Sequence, residues 1–176
     1  MIREEKVLLN LIKNYALKQG RAVPGKKALQ KLVYFSQVEG LPMRFDYVLY
    51  KYGPYSYELD SLTKEMEYFE QIEFNYVNGG YEISVVDDVP SLEPEEINKL
   101  EAVIERYGAF SPKDLELLST VHFIVTDMAE IYRKKDVHEI LSRVKSIKRD
   151  KFSWNEIEDA YNKLQEWRLF EEIRWA

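Results

Sequence analysis

Cysteine is missing from this chain, and histidine occurs only twice. The first absence excludes disulfides, thiolate zinc sites and cysteine nucleophiles together. The second leaves little for imidazole chemistry, because His122 and His138 are far apart and neither has a second histidine one helical turn away. There is no Gly-x-Ser-x-Gly turn of the kind that presents a nucleophilic serine. No apolar run approaches the ~20 residues that a bilayer-spanning helix needs. The start, Met1-Ile2-Arg3-Glu4-Glu5-Lys6, puts two acids ahead of a short apolar run, which does not suit a secretory signal. The expectation is a cytoplasmic protein without membrane partners, cofactor or metal, and not an enzyme.

What is present suits a globular chain. Hydrophobic residues make up 45% and aromatic ones 14% of the 176 positions, enough to build a substantial core. The net charge of −6 is segregated. Residues 1–35 carry +6, residues 36–132 carry −14, residues 133–151 carry +5 and the remainder −3. Two basic islands keep nucleic acid among the candidate partners. The competing reading is that both islands are solvated helix faces.

Helical periodicity runs through residues 3–18, with Leu8, Leu11, Ile12 and Tyr15 on one stripe and Gly20 as a stop. A second helix is predicted over 26–39, with Leu29, Leu32, Val33 and Ser36 inward and Lys27, Lys31 and Tyr34 outward. Residues 45–52 read as a strand ended by Gly53-Pro54, with Pro54 opening a helix over 55–69. Ile72–Val77, Asn78-Gly79-Gly80 and Tyr81–Val86 read as a β-hairpin, since Asn-Gly supplies the positive φ that a tight turn needs. A linker follows at 87–91. Beyond it helices are predicted from Pro94 to Gly108, over 112–133, over 136–147 and over 154–168. The second of these, over 112–133, is apolar nearly all round, the mark of a buried helix; it carries His122, which reads as a core or domain-interface histidine. The predicted fold is therefore α+β and mainly helical. A winged-helix-like unit with its hairpin spans 1–88, and a helical unit spans 89–176.

Gly20-Arg21-Ala22-Val23-Pro24-Gly25-Lys26-Lys27 matches the phosphate-cradling pattern until its last position, where Lys27 stands in place of a magnesium-binding hydroxyl. A nucleotide-dependent enzyme is accordingly the remote reading. DNA binding has more material. The helices at 3–18 and 26–39 have helix-turn-helix proportions, Lys26, Lys27 and Lys31 could meet phosphates, and the hairpin could serve as a wing. Against it, the helix over 55–69 is rich in acid. The connector bases Arg143, Lys145, Lys148, Arg149 and Lys151 would touch backbone at best. Tyrosines gather at 47, 50, 52, 55 and 57, around a Gly-Pro corner. Such a gathering suits a recognition surface, because tyrosine offers contact area at small entropic cost.

Lys27-Ala-Leu-Gln-Lys31-Leu-Val-Tyr34-Phe35, Tyr50-Lys51-Tyr52-Gly53-Pro54-Tyr55-Ser56 and Leu115-Glu-Leu-Leu118-Ser119-Thr120-Val121-His122 occur in that order. The pattern resembles the uncharacterised YwgA-type proteins and, more distantly, the Panacea domain of SocA-like antitoxins. The resemblance implies a non-enzymatic regulator that neutralises a toxin or hands a target to a protease. It carries over Lys31, Tyr34, Lys51, Tyr52, Gly53, Pro54 and Tyr55 as a contact region. The leading expectation is a regulatory module that binds a protein partner through these residues. A DNA-binding regulator using Lys26, Lys27 and Lys31 comes second.

Overall fold

The computed structural model describes residues 1–132 and 136–173. Its described residues are mainly helical α+β, seven helices with two small antiparallel hairpins. The chain divides into two compact units, Met1–Leu115 and Glu116–Ala176.

The first unit opens with α1 (Arg3–Gln19) and α2 (Gly25–Val38). The predicted stripe of α1 is buried, and Gly20 ends the helix at φ 67°, its N–H bonded to the Ala16 carbonyl at 2.9 Å. Nine consecutive residues of α2, Ala28 through Ser36, are buried. The outward placing of Lys31 and Tyr34 is thus corrected: Lys31 is 1% and Tyr34 7% exposed. The cause is tertiary, since α2 packs against several elements at once rather than against one.

The strand expected over 45–52 is instead two short strands, β1 (Val48–Tyr50) and β2 (Gly53–Tyr55), paired antiparallel about a turn at Lys51-Tyr52. Gly53 stands at φ 93°, a conformation glycine adopts without steric cost. Pro54 therefore lies in a strand and not in the first helical turn. The helix α3 (Tyr57–Tyr68) is started by Ser56, whose Oγ accepts the Leu59 N–H at 3.2 Å.

The second hairpin joins β3 (Ile72–Val77) to β4 (Gly80–Val85), with Asn78 at φ 47° and Gly79 at φ 82°. It is held to the helices by a bridge between Val23 and Ile83. Beyond it, α4 (Pro94–Tyr107) packs on α1 and α2. The stretch at 87–91 is tied into the same unit, because buried Asn10 donates to the Pro90 carbonyl at 2.8 Å. The core here is Leu8, Leu11, Ile12, Leu32, Phe35, Val103, Ile104 and Tyr107, with Phe35 and Tyr107 stacked 4.2 Å apart. Gly108 ends α4 at an ordinary φ of −64°. Its lack of a side chain is needed for space, since a Cβ would sit 2.5 Å from both Gln19 and the Ile104 carbonyl.

The second unit contains most of α5 (Pro112–Asp127), a π-helical turn at Met128–Tyr132, α6 (Val137–Lys148), a 3-10 turn at Arg149–Lys151 and α7 (Trp154–Glu166). Each of these helices starts on a side-chain cap: Ser111 with Asp114, Asp136 with Glu139, and Ser153 reciprocally with Glu156. Residues 115–122 of α5 are buried without interruption. The predicted end of that helix at 133, and the bases at 133–135, lie outside the described residues.

Candidate functional site: a tyrosine and lysine surface

The start of α2, the β1–β2 hairpin and the start of α3 come together in the first unit. Two consecutive α2 side chains fix the geometry from beneath. Gln30 donates its Nε2 to the Ser56 carbonyl and accepts the Ser56 N–H on Oε1, both at 2.9 Å and both buried. Lys31 donates Nζ to the Pro54 carbonyl at 2.6 Å. An ammonium group is almost never buried without partners of this kind. The hairpin's second strand is therefore clamped to α2, and Gly53 and Pro54 are buried inside the clamp.

Above the clamp the aromatic rings face outward. Tyr50, Tyr52 and Tyr57 are 56%, 46% and 58% exposed. Tyr50, Tyr55 and Tyr57 pack edge to face or tilted, with centroids 5.1–6.3 Å apart. The Tyr52 ring carries two ammonium groups, Lys27 at 4.9 Å and Lys51 at 5.5 Å from its centroid. Lys26 turns elsewhere. It lies 5.3 Å from the Phe74 ring and 3.7 Å from the Asp60 carboxylate, which also binds Lys64 at 2.6 Å. Burial raises the Tyr55 hydroxyl, and its hydrogen bond to the nearby charged Asp60 raises it further, to about 12. Burial alone would raise the Asp60 carboxyl, but Lys64, Lys26 and Tyr55 outweigh it and hold the group low. Both groups keep their neutral-pH forms, a phenol donating to a carboxylate. Beyond Phe74, Tyr76 and Tyr81 extend the aromatic strip along the second hairpin, their hydroxyls 2.7 Å apart.

Of the seven residues expected to contact a protein partner, Lys51, Tyr52 and Tyr55 reach the surface. Lys31, Tyr34, Gly53 and Pro54 are buried beneath it and position the others. Tyr34 packs edge-on against Tyr47 in the interior, and desolvation pushes its hydroxyl far above the ordinary tyrosine value. Of the DNA-contact set, Lys26 is exposed, Lys27 is half-buried and Lys31 is enclosed, so the three do not form one basic face. The sequence pattern does not single out Tyr57, Gln30 or Asp60 as site residues. Tyr57 belonged to the visible tyrosine gathering, and Gln30 sits inside the α2 motif, but nothing local marks a glutamine as a clamp.

The phosphate-loop match at Gly20–Lys27 follows helix α1 and not a strand, and its Val23 is engaged with Ile83. In the second unit only Lys148 of the connector bases is buried; Arg143 and Lys145 are half-buried, and Arg149 and Lys151 are exposed. Glu116 is fully buried and binds Lys148 at 2.7 Å and Lys151 at 2.7 Å, while Lys145 donates to the Arg149 and Phe152 carbonyls. Arg143 lies over the Tyr132 ring at 4.8 Å. His122 is buried, stacked 6.1 Å from Phe170 and bonded to the Leu169 backbone; desolvation lowers its pKa to about 4. Among the described residues no three His, Asp or Glu side chains are grouped to hold a metal ion, and no helix is long and apolar enough to cross a membrane. No protein-family model matches the chain, and no curated protein matches it significantly.

Proposed function

We propose that the chain is a non-catalytic regulatory module that binds a protein partner through the outer face of the β1–β2 hairpin and the start of α3. The observation that carries this reading is the rigid presentation of three half-exposed tyrosines. Tyr50, Tyr52 and Tyr57 stand on a segment whose backbone is locked by Gln30 and Lys31. Exposed rings held on a fixed backbone lose little entropy when a partner covers them, and tyrosine is enriched at the energetic centres of interfaces. An antitoxin-like or adaptor-like role, as the sequence resemblance implies, is compatible with such a surface. Duplex DNA is the weaker reading, because Lys31 is buried and Lys26 faces Asp60.

The test is affinity capture from the native cytosol with the parent and with a Tyr50→Ser/Tyr57→Ser variant whose circular dichroism matches the parent's. Partners recovered by the parent and lost by the variant are expected. Retention of every partner by the variant would remove this surface from consideration.

A further inference from the structure

The two edges of the second hairpin differ. On β4, Ile83 exchanges both backbone hydrogen bonds with Val23, at 2.9 and 3.2 Å, so its N–H and carbonyl point away from β3. Phe74 stands opposite Ile83, and its own N–H and carbonyl therefore point away from β4. Alternation along the strand aims those of Ile72 and Tyr76 the same way. Among the described residues β3 pairs with β4 alone, and no backbone hydrogen bond reaches this outer row. Such a row is a template for another strand, and proteins ordinarily blunt it with proline, lysine or a bulge. β3 has none of these. Ile72-Glu-Phe-Asn-Tyr-Val77 runs in unbroken register, with its single charge at Glu73 and with Asn75, Tyr76 and Val77 exposed.

The chemistry of the row suits a second copy of this chain. A two-fold axis at Phe74 sets Phe74 against its counterpart and Ile72 against Tyr76, in a ladder of about six main-chain hydrogen bonds. On the other face it sets Glu73 against Asn75, so that no two carboxylates are opposed. An axis at Glu73 would oppose two carboxylates, and an axis at Asn75 would carry Ile72 past the end of the partner strand. The same symmetry brings each hairpin tip toward the exposed Tyr68 and Phe69 of the other copy, rings that add apolar area to a short ladder. We infer that the outer edge of β3 is a self-association surface, on which a second copy adds its own β3 antiparallel about a two-fold axis at Phe74. The pairing does not involve the β1–β2 surface, and its failure would leave that surface untouched.

Sedimentation equilibrium of the whole chain across the micromolar range tests it. The parent mass should rise with concentration from 21.0 kDa toward twice that value. Asn75→Glu opposes Glu73 of the other copy twice in each dimer and should weaken association about fivefold or more. Glu73→Lys/Asn75→Glu should restore it, because each introduced carboxylate then meets a lysine. Both positions are exposed, so the fold should persist, as circular dichroism would check. The register can also be read directly, since the chain has no cysteine of its own. Glu73→Cys and Asn75→Cys chains, mixed under mild oxidation, should cross-link with each other far faster than either does alone. Opposed residues of this non-hydrogen-bonded kind lie about 4.5 Å apart between Cα atoms, within disulfide reach. A parent that stays monomeric would overturn the inference and leave the edge to an extended strand from a different protein. A dimer that ignores Asn75→Glu, or in which Glu73→Cys alone links as fast as the mixture, would overturn the pairing at Phe74.

Discussion

Gln30 and Tyr47 sit in comparable surroundings and should behave oppositely. The Gln30 amide satisfies both backbone groups of Ser56 in a buried setting. Gln30→Ala would strand a donor and an acceptor, each costing about 1–3 kcal/mol when left unpaired. Urea denaturation should therefore show a loss of about 2–4 kcal/mol, and the tyrosine surface should loosen with it. A loss below about 1 kcal/mol would mean that the Ser56 backbone finds other partners and that the clamp is not what orders the hairpin. Tyr47 is the contrary case. Its hydroxyl is buried, and it is the one buried side-chain polar atom among the described residues without a hydrogen-bond partner. Burial drives its pKa far above the ordinary tyrosine value. Tyr47→Phe keeps the edge-on packing against Tyr34 and removes the desolvated oxygen, so stability should hold or rise by up to about 1 kcal/mol. A clear drop in the urea midpoint would show that the hydroxyl does have a bonding partner in solution.

Elements whose determinants are local were readable from the chain, and those set by distant residues were not. The Asn78-Gly79 turn needs two positive φ angles in a row and names its own hairpin. Ser111, Asp136 and Ser153 cap helices with side chains that reach only three residues on. The second strand, Gly53–Tyr55, is hidden from local pattern, because its Pro54 carbonyl is held by Lys31 of α2, 23 residues upstream in sequence. The same blindness applies to charge. Lys148 reads as part of a basic connector, yet its ammonium is buried against Glu116 on α5, a partner 32 residues earlier. This pair joins α5 to α6, and its removal by halves should be costly. Glu116→Leu leaves a buried cation without its carboxylate and should cost about 3–5 kcal/mol. Lys148→Met should cost less, because Lys151 still binds the Glu116 carboxylate. The double variant should recover most of the first loss, since an apolar pair of similar volume avoids desolvating two charges. Additive losses in that cycle would mean that the two charges do not interact across the elements.

At the scale of the whole molecule the question is what pH does to folding, and one imidazole has a definite sign. His122 is buried on α5 and bonded to the Leu169 backbone, and burial lowers its pKa from 6.5 to about 4. In the unfolded chain the ring takes up a proton as pH falls through 6.5; in the native state it stays neutral until pH reaches about 4. Between those values the unfolded state binds more protons, so native stability falls with acidification and levels off below the folded pKa. The span corresponds to about 3 kcal/mol, a large share of the 5–15 kcal/mol that holds a typical domain together. Carboxylates held low in the native state, Asp60 and Glu96 among them, add losses of their own as pH falls further, so the histidine must be isolated by difference. A His122→Asn variant has no ring to protonate and should be less stable than the parent at pH 7, where the imidazole packs against Phe170. Its disadvantage should then shrink by about 3 kcal/mol as urea midpoints are followed from pH 7 to pH 4. A gap between parent and variant that stays constant over that range would mean that the folded protein protonates His122 as readily as the unfolded chain does, and that the ring is reached by water.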